Sequence, residues 1–197
     1  MPWTRARLSF GNLRGFTLIE LMVTVTVLAI ILSLAVPSFA SLMASSRLST
    51  QTSEFVGALT LARSEAVRRA QPVSLRASDA DNFSKGWQVF TDGDGNGAIP
   101  GTVTDQDGTV IRQASAFSGA TAAKRVTRSD PPAPFIYTNA TDADRMHLVF
   151  TARGAIQPAL PAFFKVCDSA NTAVKGRIVQ VNVVGKISLD STSESCP

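Results

Sequence analysis

The sequence has few of the residues that most often bind metals or act as catalytic bases. Histidine occurs once, at His147, and cysteine twice, at Cys167 and Cys196, in 197 residues. These three side chains cannot complete a four-ligand structural zinc site. The serine elbow GxSxG is absent, and neither GxxxxGK[ST] nor GxGxxG follows a predicted strand. We therefore expect no catalytic residues, no enzyme activity and no cofactor.

Charged residues are also scarce, at 17% of the chain, and they are unevenly distributed. There are 19 basic and 15 acidic residues, a net charge of +4, but Arg5, Arg7 and Arg14 all precede residue 16. The remainder is nearly neutral, so overall basicity does not indicate nucleic-acid binding. With 45% apolar residues, the chain is not disordered. Its length suits one globular domain with an appendage.

The most distinctive feature is an apolar run from Phe16 to Val36, which reads FTLIELMVTVTVLAIILSLAV. It contains one ionisable residue, Glu20, and neither proline nor glycine. As a helix it spans roughly 30 Å, the thickness of a bilayer's hydrocarbon core. The run therefore predicts a transmembrane helix. Because three arginines precede it and the first basic residue beyond it is Arg47, the N-terminus is expected in the cytoplasm.

A cleaved secretory signal peptide is the alternative to a membrane anchor. Ser38-Phe39-Ala40 offers a small-x-small cleavage site, which would leave a chain beginning at Ser41. However, the run exceeds the length of a typical signal peptide and contains a carboxylate. A carboxylate costs about 2.5–3.5 kcal/mol at the centre of a membrane helix, so we expect Glu20 to have a partner.

The hexapeptide Gly15-Phe16-Thr17-Leu18-Ile19-Glu20, with the apolar run after it, resembles the class III leader of type IV pilins and type II secretion pseudopilins. Gly15, Phe16 and Glu20 match the family motif, and Pro37 stands where the family carries a helix-bending proline. The resemblance implies that a prepilin peptidase cleaves after Gly15 and that Phe16 is N-methylated. It also implies that Glu20 acts in assembly, with the inner membrane and other pilins as partners.

Beyond the membrane segment the sequence predicts a second, amphipathic helical stretch that Pro72 ends. Apolar residues recur there at helical spacing and indicate one buried stripe. The members of the stripe are Leu48, Phe55, Leu59, Ala62 and Ala66. Arg63, Arg68 and Arg69 are expected on a solvated face.

After Pro72 the sequence changes to short β-type runs separated by loops rich in Gly, Asp, Ser and Pro. The predicted strands are Val73–Leu75, Trp87–Thr91, Thr109–Ile111, Met146–Phe150, Phe163–Val166, Arg177–Val184 and Ile187–Leu189. The fold class is therefore α+β, with a long N-terminal helix packed on an antiparallel β-sheet domain. The predicted organisation is a leader at 1–15, a transmembrane and filament-core helix at 16–43, an amphipathic helix at 44–71, and a pilin-like β domain at 72–197.

Two further segments narrow the resemblance. LARSEAVRR at 61–69 and GWQVFTD at 86–92 are similar to the GspH/FimT branch of minor pilins. The resemblance implies a low-copy structural subunit at the tip of a pilus or pseudopilus. The type of filament, a type IV pilus or a type II secretion pseudopilus, stays open.

DNA binding in natural transformation is the alternative function, because FimT-like members carry a basic GRxR motif near the C-terminus. The matching positions here read Gly185-Lys186-Ile187-Ser188, with serine in place of the second arginine. The candidate phosphate contacts are Lys175, Arg177 and Lys186, which we expect to flank the Gly185-Lys186 turn. Lysine lacks the bidentate fork of arginine, and no aromatic residue is interleaved to stack on bases.

Asp92, Asp94 and Asn96 form the first half of a calcium loop. The second half is missing, because Pro100 and Val103 occupy positions that should carry ligands. A hairpin turn explains the same residues, since Asp-Gly and Asn-Gly favour positive φ angles. The calcium site is therefore only a weak alternative to a turn.

The predicted orientation places Cys167 and Cys196 in an oxidising periplasm, where unpaired thiols are unusual. We therefore expect one disulfide between them. His147 falls within a predicted strand and is expected to be a structural residue with satisfied hydrogen bonds.

Overall fold

The computed structural model describes residues 15–79, 82–97, 108–119, 121–129, 136–139, 146–170 and 174–194. Within these ranges the chain forms one long helix, α1 (Leu18–Arg69), one short 3₁₀ helix (Phe83–Lys85) and ten strands. The chain divides into two compact units, and the boundary lies between Ala40 and Ser41. The described part of the first unit is the N-terminal part of α1 with the residues that precede it. The second unit contains the rest of α1 and the strands.

In the first unit, α1 begins at a capping threonine. The Oγ1 atom of Thr17 accepts a hydrogen bond from the backbone N–H of Glu20 at 3.2 Å. Thr-x-x-Glu is a helix-start signal, because the side chain satisfies one of the free N–H groups of the first turn. Further along, the hydroxyls of Thr24, Thr26 and Ser33 donate to helix carbonyls. These bonds satisfy the hydroxyls internally, which suits a helix with an apolar surface.

In the second unit, α1 buries the apolar stripe that the sequence predicts. Leu48 is 1% exposed, and Phe55, Leu59, Ala62 and Ala66 are fully buried. Ala58 and Ala44 extend the same face. The predicted amphipathic helix is therefore confirmed, and its buried face forms part of the main hydrophobic core.

The helix ends at Arg69, two residues before the predicted end at residue 71. Ala70 adopts a positive φ of 54°. The N–H of Ala70 donates to the Val67 carbonyl at 3.3 Å, and the N–H of Gln71 donates to the Ala66 carbonyl at 3.3 Å. This pair of bonds is a Schellman motif, which closes a helix by turning one residue into the left-handed region. The motif, rather than Pro72, ends α1.

The strands form two antiparallel sheets of five strands each. In chain order they are β1 (Val73–Ala77), β2 (Trp87–Thr91), β3 (Val110–Ala114), β4 (Thr121–Ser129), β5 (Ile136–Asn139), β6 (His147–Phe150), β7 (Ile156–Gln157), β8 (Ala162–Asp168), β9 (Gly176–Val181) and β10 (Ile187–Glu194). The first sheet has the order β3-β2-β1-β6-β7, and the second has the order β10-β9-β8-β4-β5.

The predicted strands lie within or near observed strands, with one clear error. The predicted strand Arg177–Val184 is wrong at its end, because β9 stops at Val181. The N–H of Gly185 donates to the Asn182 carbonyl at 2.8 Å, which closes a turn around exposed Val183 and Val184. Three strands, β4, β5 and β7, were not predicted. The sequence TAAKRVTRS of β4 has few of the β-branched and aromatic residues that mark strands.

Three phenylalanines join the helix to the strands in the core. Phe55 of α1, Phe83 of the 3₁₀ helix and Phe164 of β8 pack edge to face, with ring centroids 5.1–5.5 Å apart. Trp87 and Phe150 bring the first sheet into the same core. Burial of these large rings fixes α1 against both sheets, because each contributes a large apolar area.

Candidate functional site

The segment that the sequence marks for processing lies just ahead of α1. Gly15, Phe16 and Thr17 precede the first helical residue, and the Phe16 side chain is 82% exposed. A Cβ atom at Gly15 would meet no atom within 4 Å. The Gly15–Phe16 peptide bond is therefore outside the helix and unobstructed by the described residues. The leader residues 1–14 lie outside the described ranges.

Glu20 is the one ionisable residue of the apolar surface that follows. Its backbone N–H is bound to Thr17, but its carboxylate makes no hydrogen bond or ion pair with any described residue. Helical spacing places Val23 and Thr24 beside it on α1. The carboxylate is therefore free to meet a cation from outside the chain.

The apolar surface itself is continuous. Every residue from 15 to 36 is exposed, including large aliphatic side chains on all sides of the helix. Among the described residues, this part of α1 is the one helix whose length and composition would allow it to cross a membrane. An exposed apolar surface of this extent marks a membrane or protein contact.

Asp92 lies directly after β2 and is fully buried. Its Oδ1 accepts hydrogen bonds from the N–H groups of Gly95 (2.8 Å) and Asn96 (3.1 Å). Its Oδ2 accepts from the Gly97 N–H at 2.9 Å and from the Ser74 hydroxyl. Both carboxylate oxygens are therefore used to hold a tight turn.

Asp94 and Asn96 belong to the same turn. The Asp94 carboxylate accepts from the Asn96 backbone N–H at 3.1 Å and from its Nδ2 at 2.7 Å. These contacts favour the hairpin-turn interpretation over the calcium loop, and Pro100 and Val103 lie outside the described residues. Within the described part of the chain, no group of three or more His, Cys, Asp or Glu residues could hold a metal ion.

His147 is the first residue of β6, and its contacts are structural. Its carbonyl accepts a hydrogen bond from Nη1 of Arg125 at 3.0 Å. Its ring packs so closely on Gly97 that a Cβ there would lie 2.1 Å from the Cδ2 atom. The ring thus helps to hold the turn after β2 against the first sheet.

The turn between β9 and β10 carries the glycine of the predicted basic motif. Gly185 has a φ of 77°, and its backbone approaches the loop that contains Gly154. Arg63 of α1 binds both loops, donating from Nε to the Gly154 carbonyl and from Nη2 to the Val184 carbonyl, each at 3.1 Å. The expectation that Arg63 is solvated is therefore wrong. The Arg68 side chain is largely exposed and the Arg69 side chain partly so, and both pair with Glu65.

The sequence predicts that Lys175, Arg177 and Lys186 flank that turn. In the structure these three candidate cations do not lie together there. Lys186 is next to Ile187, which pairs with Val181 at one end of the β9–β10 hairpin. Lys175 and Arg177 lie at the other end, and Arg177 and Val181 are roughly 13 Å apart along the strand. The expectation that all three cations flank the Gly185-Lys186 turn is therefore wrong for Lys175 and Arg177, because β9 separates them from the turn.

Comparison with known proteins identifies the family. A model of the family described as type II transport protein GspH matches residues 51–185, and a model of the prokaryotic N-terminal methylation motif matches residues 12–36. The first match covers more than half of the chain. The chain belongs to the GspH family. This family comprises minor pseudopilins and pilins, so the resemblance that the sequence carries is confirmed.

The individual proteins that this GspH-family chain resembles include two fimbrial proteins and a type IV minor pilin. Two proteins named fimbrial protein from Pseudomonas aeruginosa are 35% and 34% identical to it over 99 residues, or 49% of this chain. The matched region spans 64% of the length of each relative. The crystal structure of the type IV minor pilin FimU from the same organism has a TM-score of 0.56 and 24% identity, and the alignment covers 77% of this chain and 96% of that one. This last likeness shows the shared pilin fold.

The GspH-family chain also carries a disulfide. Cys167 on β8 is disulfide-bonded. Cys196, the only other cysteine in the sequence, lies outside the described residues. The pairing of Cys167 with Cys196 thus stays a prediction, and the structure describes only the Cys167 side of it.

Two residues that matter in this GspH-family chain were not predicted as such from the sequence. Thr17 caps α1, and the Thr-x-x-Glu spacing to Glu20 was a local signal that could have identified it. Arg63 joins α1 to the loops of Gly154 and Val184, which follow it by 91 and 121 positions in the chain. No local pattern could have indicated that role, because it depends on tertiary packing.

Proposed function

We propose that this chain is a membrane-anchored minor pilin or pseudopilin that is cleaved after Gly15 and then incorporated near the tip of a filament. The observation that supports this proposal most strongly is the uninterrupted exposed apolar helix with one unpaired carboxylate at Glu20. In the inner membrane, lipid covers this surface, and in the filament core, equivalent helices of other subunits cover it. The proposal also explains why cleavage must precede assembly, because only cleavage creates a free amine at Phe16.

The free amine is the partner proposed for Glu20. Phe16 and Glu20 are four residues apart, about 6 Å along a helix, so a neighbouring subunit needs only a small axial offset to bring its α-ammonium to this carboxylate. Removing one partner of a buried charge pair is far more costly than burying the pair, because it leaves an unpaired charge in an apolar environment. The pair would thus select subunits that are processed and correctly aligned.

The proposed partners follow from the same segment. A prepilin peptidase is the enzyme proposed to cut after Gly15, and N-methylation of Phe16 is the proposed modification. The three leader arginines favour a cytoplasmic N-terminus and a periplasmic β domain. The other subunits of the filament tip are the proposed structural partners, in either a type IV pilus or a type II secretion pseudopilus.

The test is intact mass measurement and N-terminal sequencing of the protein purified from membranes. We expect a chain that begins at N-methylated Phe16. A chain beginning at Ser41 would instead support the signal-peptide alternative and contradict the proposal. Gly15→Leu provides a control, because it should block cleavage and leave the leader attached without removing the apolar anchor.

A further inference from the structure

The turn that follows β2, at residues 92–97, folds back over the first sheet. Gly97 lies against the ring of His147, and a Cβ on Gly95 would lie 4.0 Å from Cγ1 of Val149. Phe90 and Val149 are buried but do not belong to the main hydrophobic core. Because side chains alternate between the two faces of a sheet, these residues lie on the face that points away from that core. The turn therefore helps to cover this second face.

The turn ends in the one asparagine of the chain that is followed by glycine, Asn96. The sequence contains six asparagines, and the residues after the other five are Leu, Phe, Ala, Thr and Val. Glycine after asparagine favours deamidation, because it has no Cβ to shield its nitrogen and its backbone is the least restricted. In the unfolded chain, Asn96 should therefore be the asparagine that deamidates first.

Deamidation at Asn96 depends on the backbone nitrogen of Gly97. This nitrogen loses its proton to hydroxide and attacks Cγ of Asn96, and the side-chain nitrogen leaves as ammonia. Water then opens the resulting cyclic imide to aspartate or isoaspartate, so the net reaction consumes one water and releases one ammonia. The reaction therefore requires a Gly97 amide that can reach Cγ and give up its proton.

The folded chain holds this amide in a buried hydrogen bond. Asn96 is exposed to water, whereas Gly97 is buried, and its N–H donates to Oδ2 of Asp92 at 2.9 Å. Asp92 is fully buried, and its Oδ1 holds the N–H groups of Gly95 and Asn96. Loss of the Gly97 proton would place a second negative charge beside this buried carboxylate, which is unfavourable.

We propose that Asn96 is a deamidation site that Asp92 keeps unreactive in the folded chain. Reaction then requires local opening of the turn, because opening separates the Gly97 amide from the carboxylate. The proposal does not depend on whether the chain enters a filament, so its failure and the failure of the proposed function are distinguishable.

Modification would keep the turn open once it had occurred. Nδ2 of Asn96 donates to the Asp94 carboxylate at 2.7 Å, and replacing that nitrogen by a carboxylate oxygen turns attraction into repulsion. Isoaspartate would also lengthen the backbone between Gly95 and Gly97 by one atom. A deamidated chain therefore loses part of the cover over Phe90 and Val149.

Ageing the purified full chain in mild detergent at pH 8 and 37 °C tests the proposal. Peptide mapping by mass spectrometry measures the conversion of Asn96 in the folded protein and in the same protein in guanidinium chloride. We expect conversion to be at least about tenfold slower in the folded protein. Asn182, which precedes Val183, is the control within the chain and should react slowly in both. Equal rates at Asn96 in the two states would overturn the proposal.

Two variants separate Asp92 from the rest of the turn. Asp92→Ala should accelerate conversion of Asn96 in the folded protein at least about tenfold, because the Gly97 amide loses its buried partner. Asp94→Ala removes the contacts to the Asn96 amide groups but leaves the bond to Gly97, so it should accelerate conversion by less than about threefold. An unchanged rate in Asp92→Ala, or equal rates in both variants, would contradict the role of Asp92.

Hydrogen exchange of the wild type tests the same bond without any substitution. The amide of Gly97 should exchange slowly, whereas the amide of Gly93, which is exposed in the same turn, should exchange faster. Rapid exchange at Gly97 would overturn the proposal. Urea unfolding shows whether Asp92→Ala folds, and if it does not, the wild-type exchange and the ratio of deamidation rates decide the outcome.

Discussion

The carbonyl oxygen of Gly154 lies 1.8 Å from the position that a Cβ atom on Gly185 would occupy. No side chain fits at residue 185 without moving one of the two loops. Arg63 of α1 binds both loops at this point, through the Gly154 and Val184 carbonyls. The glycine that the sequence suggested as part of a DNA-binding motif therefore has a packing role.

We predict that Gly185→Ala destabilises the protein by at least about 2 kcal/mol, because it combines a left-handed φ with overpacking. Lys186→Ala, at the exposed neighbouring position, should change the stability by less than about 0.5 kcal/mol. Urea unfolding of the purified full chain in mild detergent measures both. Equal stability of the two variants would show that the contact between the loops is unimportant.

The end of α1 offers a stabilising substitution. Ala70 carries a φ of 54°, so Ala70→Gly should raise the free energy of unfolding by about 0.5–1 kcal/mol, after allowance for the greater entropy of the unfolded chain. Ala66→Gly should have the opposite effect and destabilise by about 1 kcal/mol or more, because Ala66 is buried inside the helix. A loss of stability in Ala70→Gly, measured by the same unfolding assay, would contradict the Schellman assignment.

Glu65 makes stability depend on pH. Hydrogen bonds from Arg68 and Arg69 lower the pKa of Glu65 from 4.5 to about 2. A carboxyl whose pKa is lower in the folded state stabilises the protein above its unfolded pKa, and this effect is lost as the pH falls through the folded pKa. The melting temperature of wild type should therefore exceed that of Glu65→Gln above pH 5, and the difference should disappear towards pH 2.

The Glu65 effect should also be small and sensitive to salt, because the Arg68 side chain is 64% exposed. Repeating the comparison in 1 M salt should reduce the difference between wild type and Glu65→Gln. A difference that grows as the pH falls would contradict the assignment.

The disulfide is predicted to stabilise the β domain. If Cys167 pairs with Cys196, the bond closes a loop of about 29 residues and contributes roughly 3–4 kcal/mol on the chain-entropy model. Cys196→Ser should lower the urea midpoint of the oxidised protein, and it should match the reduced wild type. Alkylation of the unreduced, denatured wild-type protein should find no free thiol. Two alkylated cysteines would contradict the pairing.

The sequence predicted those features that depend on local patterns. The stripe through Leu48, Phe55 and Ala66 follows the helical period, and α1 buries it as expected. In contrast, β4 was missed because the charged residues Lys124 and Arg125 stand between Ala123 and Val126, which are buried by tertiary packing. The separation of Arg177 from Lys186 depends on the pairing of β9 with β10, which no local pattern specifies.

The candidate site divides in the same way. Gly15, Phe16 and Glu20 lie within one hexapeptide, so the sequence alone identified the N-terminal segment. The contact between Gln51 and Ser118 could not be predicted, because the two residues lie 67 positions apart in the chain.

Incorporation of a Glu20→Gln variant into filaments is the measurement that tests the central claim most directly. Gln is close to Glu in shape and removes only the charge, so the variant should remain in the membrane and be cleaved at Phe16. We predict that its amount in sheared filaments, relative to wild type, falls at least tenfold, because the neighbouring α-ammonium is left unpaired. Thr24→Ala, one turn away, should incorporate normally. Incorporation of Glu20→Gln at the wild-type level would contradict the account.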